Sequence, residues 1–110
     1  MPTLKTACAA VLLCAALPAL ADGNPAAGRE KAETVCAACH GAGGAKPLLP
    51  EYPILAGQYA DYLEQTLKDY RSGVRNNPIM KGQAAALTDQ EIRDLAAYFA
   101  RQPSPLGTVK

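Results

Sequence analysis

The sequence predicts an all-α domain, and three observations lead there. Two stretches, residues 56–71 and 88–100, carry apolar side chains at a 3.6-residue period. Helix-start signals stand at Asn24-Pro25 and at Thr88, the latter with Glu91 three residues on. No period-2 alternation runs long enough to make a strand. The expected architecture is three main helices joined by loops.

The first helix is expected from Pro25 to about Ala38. Asn24 is its N-cap, and Pro25 takes the first helical position, where a missing N–H costs nothing. Ala27, Gly28, Ala32 and Val35 face inward. They are mostly small, which suits close approach of another helix, and packing explains a mid-helix Gly28 better than propensity does. From Gly41 to Pro53, three glycines and three prolines exclude helix and central strand. Leu48, Leu49 and Tyr52, followed by Ile54 and Leu55, are nevertheless too apolar for a solvated linker.

The second helix is expected from Ala56 to about Arg71. Tyr59, Tyr62, Leu63, Thr66, Leu67 and Tyr70 form its apolar stripe, and Glu64 with Lys68 is a favourable i,i+4 pair. Ser72-Gly73 stops it. Val74 to Leu87 reads as irregular. In the third helix Thr88 and Glu91 form a capping box, and Ile92, Leu95, Ala96 and Phe99 make the stripe, with Tyr98 beside it. Gln102-Pro103 ends it, and Ser104 to Lys110 is expected to be a frayed tail.

Residues 1–21 read as a secretory leader, and 22–110 as a single domain. Lys5 supplies the positive start, and the apolar run Ala7 to Leu20 is short for a bilayer span. Ala19-Leu20-Ala21 is a small-residue cleavage site that would leave Asp22 first. Leu13 before Cys14 is the wrong residue for a lipid-attachment signal. Removing the leader takes away Cys8, Cys14, Met1 and Lys5. The two remaining cysteines are Cys36 and Cys39, Met80 is the only methionine, and basic and acidic residues balance. No basic excess suggests a nucleic acid partner, and no basic amphipathic helix suggests a membrane surface, so no stable membrane insertion is expected after cleavage. With one phenylalanine and no tryptophan, the chain is short of apolar mass for a core.

Cys36-Ala37-Ala38-Cys39-His40 is a C-x-x-C-H motif, the attachment signature of a c-type haem. The two thiols add across the haem vinyl groups as thioethers. The adjoining imidazole is then tethered beside the iron, for which it is a good ligand. A dithiol redox motif would need a βαβ setting. A structural zinc needs four N or S ligands, and the processed chain offers three. A plain disulfide leaves His40 without a role. With His40 used there is no second histidine, so Met80, in a Pro/Gly-punctuated loop, is the expected sixth ligand. A lone methionine is more often core filler, but here no other thioether competes.

At these residues the chain resembles the class I cytochromes c, and most of all one haem-binding repeat of the small bacterial dihaem cytochromes and their monohaem relatives. The resemblance rests on Gly28, Cys36 to Gly41, Pro53-Ile54-Leu55-Ala56-Gly57-Gln58, Tyr62-Leu63, Gly73, Arg75, Met80, Leu87 to Glu91 and Leu95 to Ala100. It implies a cytochrome c fold, three main helices and loops wrapped around one covalently bound haem c. It implies that Gly28 and Ala32 meet Leu95 and Tyr98 where the first and last helices cross. A proline carbonyl after the motif should accept the His40 Nδ1–H, with Pro47 favoured over Pro50. Gln58, Tyr59 and Arg75 are candidates to hold the haem propionates.

Two strong axial ligands, His40 and Met80, leave no open coordination position, which suits outer-sphere electron transfer rather than catalysis. The expected protein is a periplasmic electron carrier that docks transiently with redox partner proteins at an exposed haem edge. Its collar would be Ala37, Ala38, Ala42, Ala45, Ile79 and Ala84 to Ala86, with Lys46, Arg75 and Lys81 on the rim. The alternative is a tightly bound haem subunit of a larger oxidoreductase. An enzyme or gas sensor would require a vacant or labile sixth position.

Overall fold

The structure is a computed structural model and describes residues 2–12 and 22–106. Residues 2–12 carry no helix or strand and are exposed. The expected cleavage site, Cys14 and the last four residues of the tail lie outside the described residues.

Asn24 opens the helical part as its residue type dictates. Its Oδ1 accepts hydrogen bonds from the N–H groups of Ala26 and Ala27 at 2.9 and 3.3 Å, satisfying donors that have no partner inside the helix. The chain then runs helically to His40 in three pieces: α1 (Pro25–Lys31), a π-helical turn over Ala32–Cys36, and α2 (Ala37–His40). The expected end at Ala38 is thus passed by one half-turn, and the haem motif is helical throughout. The π-turn is marked by the Ala37 N–H, which reaches back to the carbonyl of Ala32. Gly41, at φ +79°, then turns the chain sharply away.

After a short 3₁₀ turn at Ala42–Gly44, the loop is pinned rather than loose. Leu48 N–H bonds to the carbonyl of Cys39, and Leu55 and Ala56 both bond to the carbonyl of Gly44. Helix α3 (Ala60–Ser72) begins four residues later than the periodicity suggests. Gly57 N–H is held by the carbonyl of Phe99, and the N–H groups of Ala56 and Gln58 by those of Gly44 and Leu55, so this backbone is bonded outside α3. The expected inward stripe is correspondingly shorter. Leu63 is buried, Leu67 and Tyr70 pack at the core's edge, and Tyr59 and Tyr62 are exposed.

The segment expected to be irregular contains a helix, α4 (Pro78–Ala84), capped by Asn77, whose Oδ1 accepts from the N–H groups of Ile79 and Met80. Asn77-Pro78 repeats the signal that opens α1. Helix α5 (Asp89–Ala100) carries the predicted capping box, with Thr88 and Glu91 bonding reciprocally.

Helix α5 is the centre of the fold, with α1 packed on one side and α3 on the other, while α4 leans on α3. Ile92 and Leu95 are fully buried among Ala32, Leu63, Ala84, Leu87, Ala96, Tyr98 and Phe99. Gly28 lets α1 approach: a Cβ there would overlap the Asp94 carbonyl and lie 2.9 Å from the Cβ of Tyr98. Asp94 clips the crossing, its buried carboxylate accepting from Asn24 N–H and Gln90 Nε2, each at 2.8 Å. Ala84 belongs to this core, fully buried, and so is not part of an exposed collar.

Candidate functional site

The C-x-x-C-H residues lie on the last turns of the first helical run. Helical spacing sets Cys36 and Cys39 three residues apart on one face, with His40 next. Both thiols are unpaired and half-buried, and Cys36 packs against the core. Burial pushes the Cys36 thiol up to about 11, against a small opposing pull from Lys31. A thiol held protonated at neutral pH is a poor attacker of disulfides, which counts against dithiol exchange. Among the described residues no group of three or more His, Cys, Asp or Glu side chains is placed to hold a metal ion.

His40 is 6% exposed, and its Nδ1 lies 2.9 Å from the carbonyl oxygen of Pro53. A carbonyl can only accept, so Nδ1 carries the proton and Nε2 presents its lone pair. Such a partner orients an imidazole ligand and raises its basicity. The acceptor is therefore Pro53, a correction to the expectation for Pro47. The reason is the path of the loop. The Leu48–Cys39 bond fixes the segment just after Pro47 against the motif, and a turn closed by Tyr52 N–H on Leu49 carbonyl at 3.1 Å swings Pro53 onto the ring. Proline at the second position of that turn, Pro50, was the available sequence signal.

Met80, on the first turn of α4, is half-buried, and the fold brings it close to His40. Of the other expected pocket residues, Gln58 and Tyr59 stand together just before α3, and Arg75 follows its far end. Gln58 Oε1 accepts from Tyr59 N–H at 2.9 Å. These two residues line an open depression with Asp61 and Tyr62 at the start of α3. Arg75 stands beyond the other end of that helix, its guanidinium 4.8 Å from the centre of the Tyr70 ring.

The donor set fits a covalent haem: two unpaired thiols at the attachment spacing, an imidazole with its free nitrogen defined, and a thioether nearby. An all-helical domain with this set is a c-type haem protein. Comparison with known proteins agrees. The sequence profile of the family Cytochrome c matches residues 25–102, and the chain belongs to that family, with one covalently bound haem c on Cys36 and Cys39.

Cytochrome c4 of Thiocapsa roseopersicina is 48% identical over 85 residues, covering 77% of this chain and 43% of that protein. Cytochrome c-554(548) of Halomonas halodenitrificans is 47% identical over 83 residues, covering 73% of this chain and 98% of that protein. The crystal structure of reduced recombinant cytochrome c4 from Pseudomonas stutzeri superposes with a TM-score of 0.63 at 29% identity, over 74% of this chain and 51% of that one. This chain thus spans about half the length of the cytochromes c4 it matches, and nearly the whole of the shorter relative.

Proposed function

We propose that the protein is an exported, periplasmic electron carrier whose haem iron is held by His40 and Met80. The observation that supports this reading is the His40–Pro53 hydrogen bond, which places the proton on Nδ1 and leaves the Nε2 lone pair free for a metal, with Met80 close by. The haem, when bound, supplies an iron that passes between the ferric and ferrous forms. The chain's own residues do the rest. Cys36 and Cys39 fix the macrocycle covalently. Pro53 holds the His40 ring in one tautomer. Asn77 caps α4 and so holds the backbone of Met80 in place through its N–H. With His40 and Met80 both holding the iron, no position would remain for a substrate, and the thioether would raise the potential.

Transient docking would use the exposed small and apolar residues near the attachment motif and on α4, such as Ala38, Ala42 and Ile79, with Lys46 and Lys81 at the rim. Weak redox encounters use small interfaces of this kind. Among the described residues no helix is long and apolar enough to cross a membrane. The export reading rests on the leader features of residues 1–21 and on haem attachment taking place after translocation. Release of a chain beginning at Asp22 by osmotic shock tests it.

Met80→Ala tests the ligand. The ferric protein is expected to lose the weak band at the red end of the visible spectrum that marks a methionine–iron bond, and its midpoint potential should fall. An unchanged band and potential in the haem-loaded variant would overturn the reading.

A further inference from the structure

We infer that Tyr52 is a positioning residue for His40, acting together with Pro53 as one clamp on the imidazole. The inference rests on the reading of His40 as an iron ligand. The Tyr52 and His40 ring centroids are 6.2 Å apart, with the planes inclined at 52°. This falls in the tilted, edge-to-face range that aromatic pairs favour. The neighbouring residue's carbonyl takes the Nδ1–H at 2.9 Å. Two adjacent residues of one loop therefore touch the same ring in two different ways.

The two contacts have different consequences. The hydrogen bond and the Cβ tether set where Nδ1 points, and the Tyr52 ring, packed against the imidazole off that line, further restricts rocking of its plane. The Tyr52 ring is the aromatic partner that His40 has within the described residues. The plane of an imidazole ligand governs its overlap with a metal, so what fixes the plane also bears on the redox potential.

The local fold is built to hold this contact. Pro50 sits inside the turn closed by Tyr52 N–H on the Leu49 carbonyl, which restricts the backbone that carries the ring. Leu48 is tied to Cys39, and Leu55 to Gly44, so both flanks of the turn are anchored next to the haem motif. Tyr52 is half-buried, so its ring contacts protein on one side while the side chain still reaches solvent.

The test uses the haem-loaded protein with Tyr52→Phe, which keeps the ring, and Tyr52→Leu, which keeps apolar bulk without a flat edge. The readouts are hydrogen exchange of the His40 Nδ1–H by NMR in the ferrous state, the hyperfine-shifted His40 ring signals in the ferric state, and the midpoint potential. Tyr52→Phe should match wild type in all three. Tyr52→Leu should exchange faster by about two- to twelvefold, the range an aromatic pair of this class is worth, with displaced ring signals and a shifted potential. Wild-type behaviour in Tyr52→Leu overturns the proposal. Equal loss in Tyr52→Phe also overturns it, since the hydroxyl rather than the ring would then matter. If Tyr52→Leu does not accumulate with haem, Tyr52→Met takes its place: the same changes support the proposal, and wild-type behaviour again overturns it. Absence of hyperfine-shifted His40 signals in wild type would instead refute ligation by His40, and is read before any variant is made.

Discussion

Glycine-to-alanine substitution at two helical positions should change stability in opposite directions. At Gly28 in α1, a Cβ would overlap the Asp94 carbonyl and sit 2.9 Å from the Tyr98 Cβ. Neither obstacle is the end of a flexible side chain, so α1 must move off α5. Overpacking of this kind costs ~3 kcal/mol at the upper end of the usual range. Alanine's better helix propensity returns ~1 kcal/mol. The net expectation is a loss of ~2 kcal/mol, or ~8–16 °C in Tm for a domain of this size.

At Gly82 in α4, nothing lies within 4 Å of an added Cβ. Two residues on from Met80 is about 200° around the helix, so the methyl points away from the methionine's side. Only the propensity gain remains, ~0.5–1 kcal/mol of stabilisation. Urea unfolding of both haem-loaded variants, followed by circular dichroism at unchanged m-value, measures the two effects. If Gly28→Ala were as stable as wild type, the close crossing of α1 and α5 would not be what the glycine serves.

Three further outcomes are expected. Thr88→Ala removes the acceptor for the Glu91 N–H and should cost ~1 kcal/mol, measured by the same unfolding. Acid should destabilise the protein through two carboxylates. The Lys31 ammonium and the Thr88 backbone hold Glu91 below its ordinary 4.5, and the Arg71 guanidinium holds Asp89 below its ordinary 3.8. Lowered values mean that their stabilisation is present above those ordinary values and is lost as pH falls through the depressed ones, so Tm should be level from pH 7 to about 5 and then decline. The double variant Glu91→Gln, Asp89→Asn should show a flatter decline. Finally, replacing both Cys36 and Cys39 by alanine should let acidified organic solvent extract any bound haem, whereas in wild type the haem stays with the polypeptide; extraction from wild type would refute the thioether assignment.

Local chemistry and local periodicity were legible without a fold. C-x-x-C-H requires only five consecutive residues. Asn24-Pro25 and the Thr88–Glu91 box act over single helical turns, and the stripe of α5 is long enough to average out exceptions. Helix α4 was legible in part, since Asn77-Pro78 repeats a signal already used at Asn24-Pro25. Its seven residues are too few to show a period, and so short a helix owes its existence to packing.

The start of α3 and the partner of His40 were settled elsewhere. Tyr59 and Tyr62 continue the α3 stripe by spacing, yet both are exposed, and the Gly57–Phe99 bond holds the chain before Ala60 outside the helix. Which proline carbonyl reaches His40 depends on the Leu48–Cys39 bond and on the turn at Pro50, contacts between segments that composition does not rank. The sequence by itself thus determined the haem attachment motif and the presence of the three main helices, because these depend on neighbours a few residues apart. The orientation of the imidazole was decided by tertiary structure alone, because it takes a loop thirteen residues downstream, folded back and anchored, to bring Tyr52 and Pro53 onto one ring.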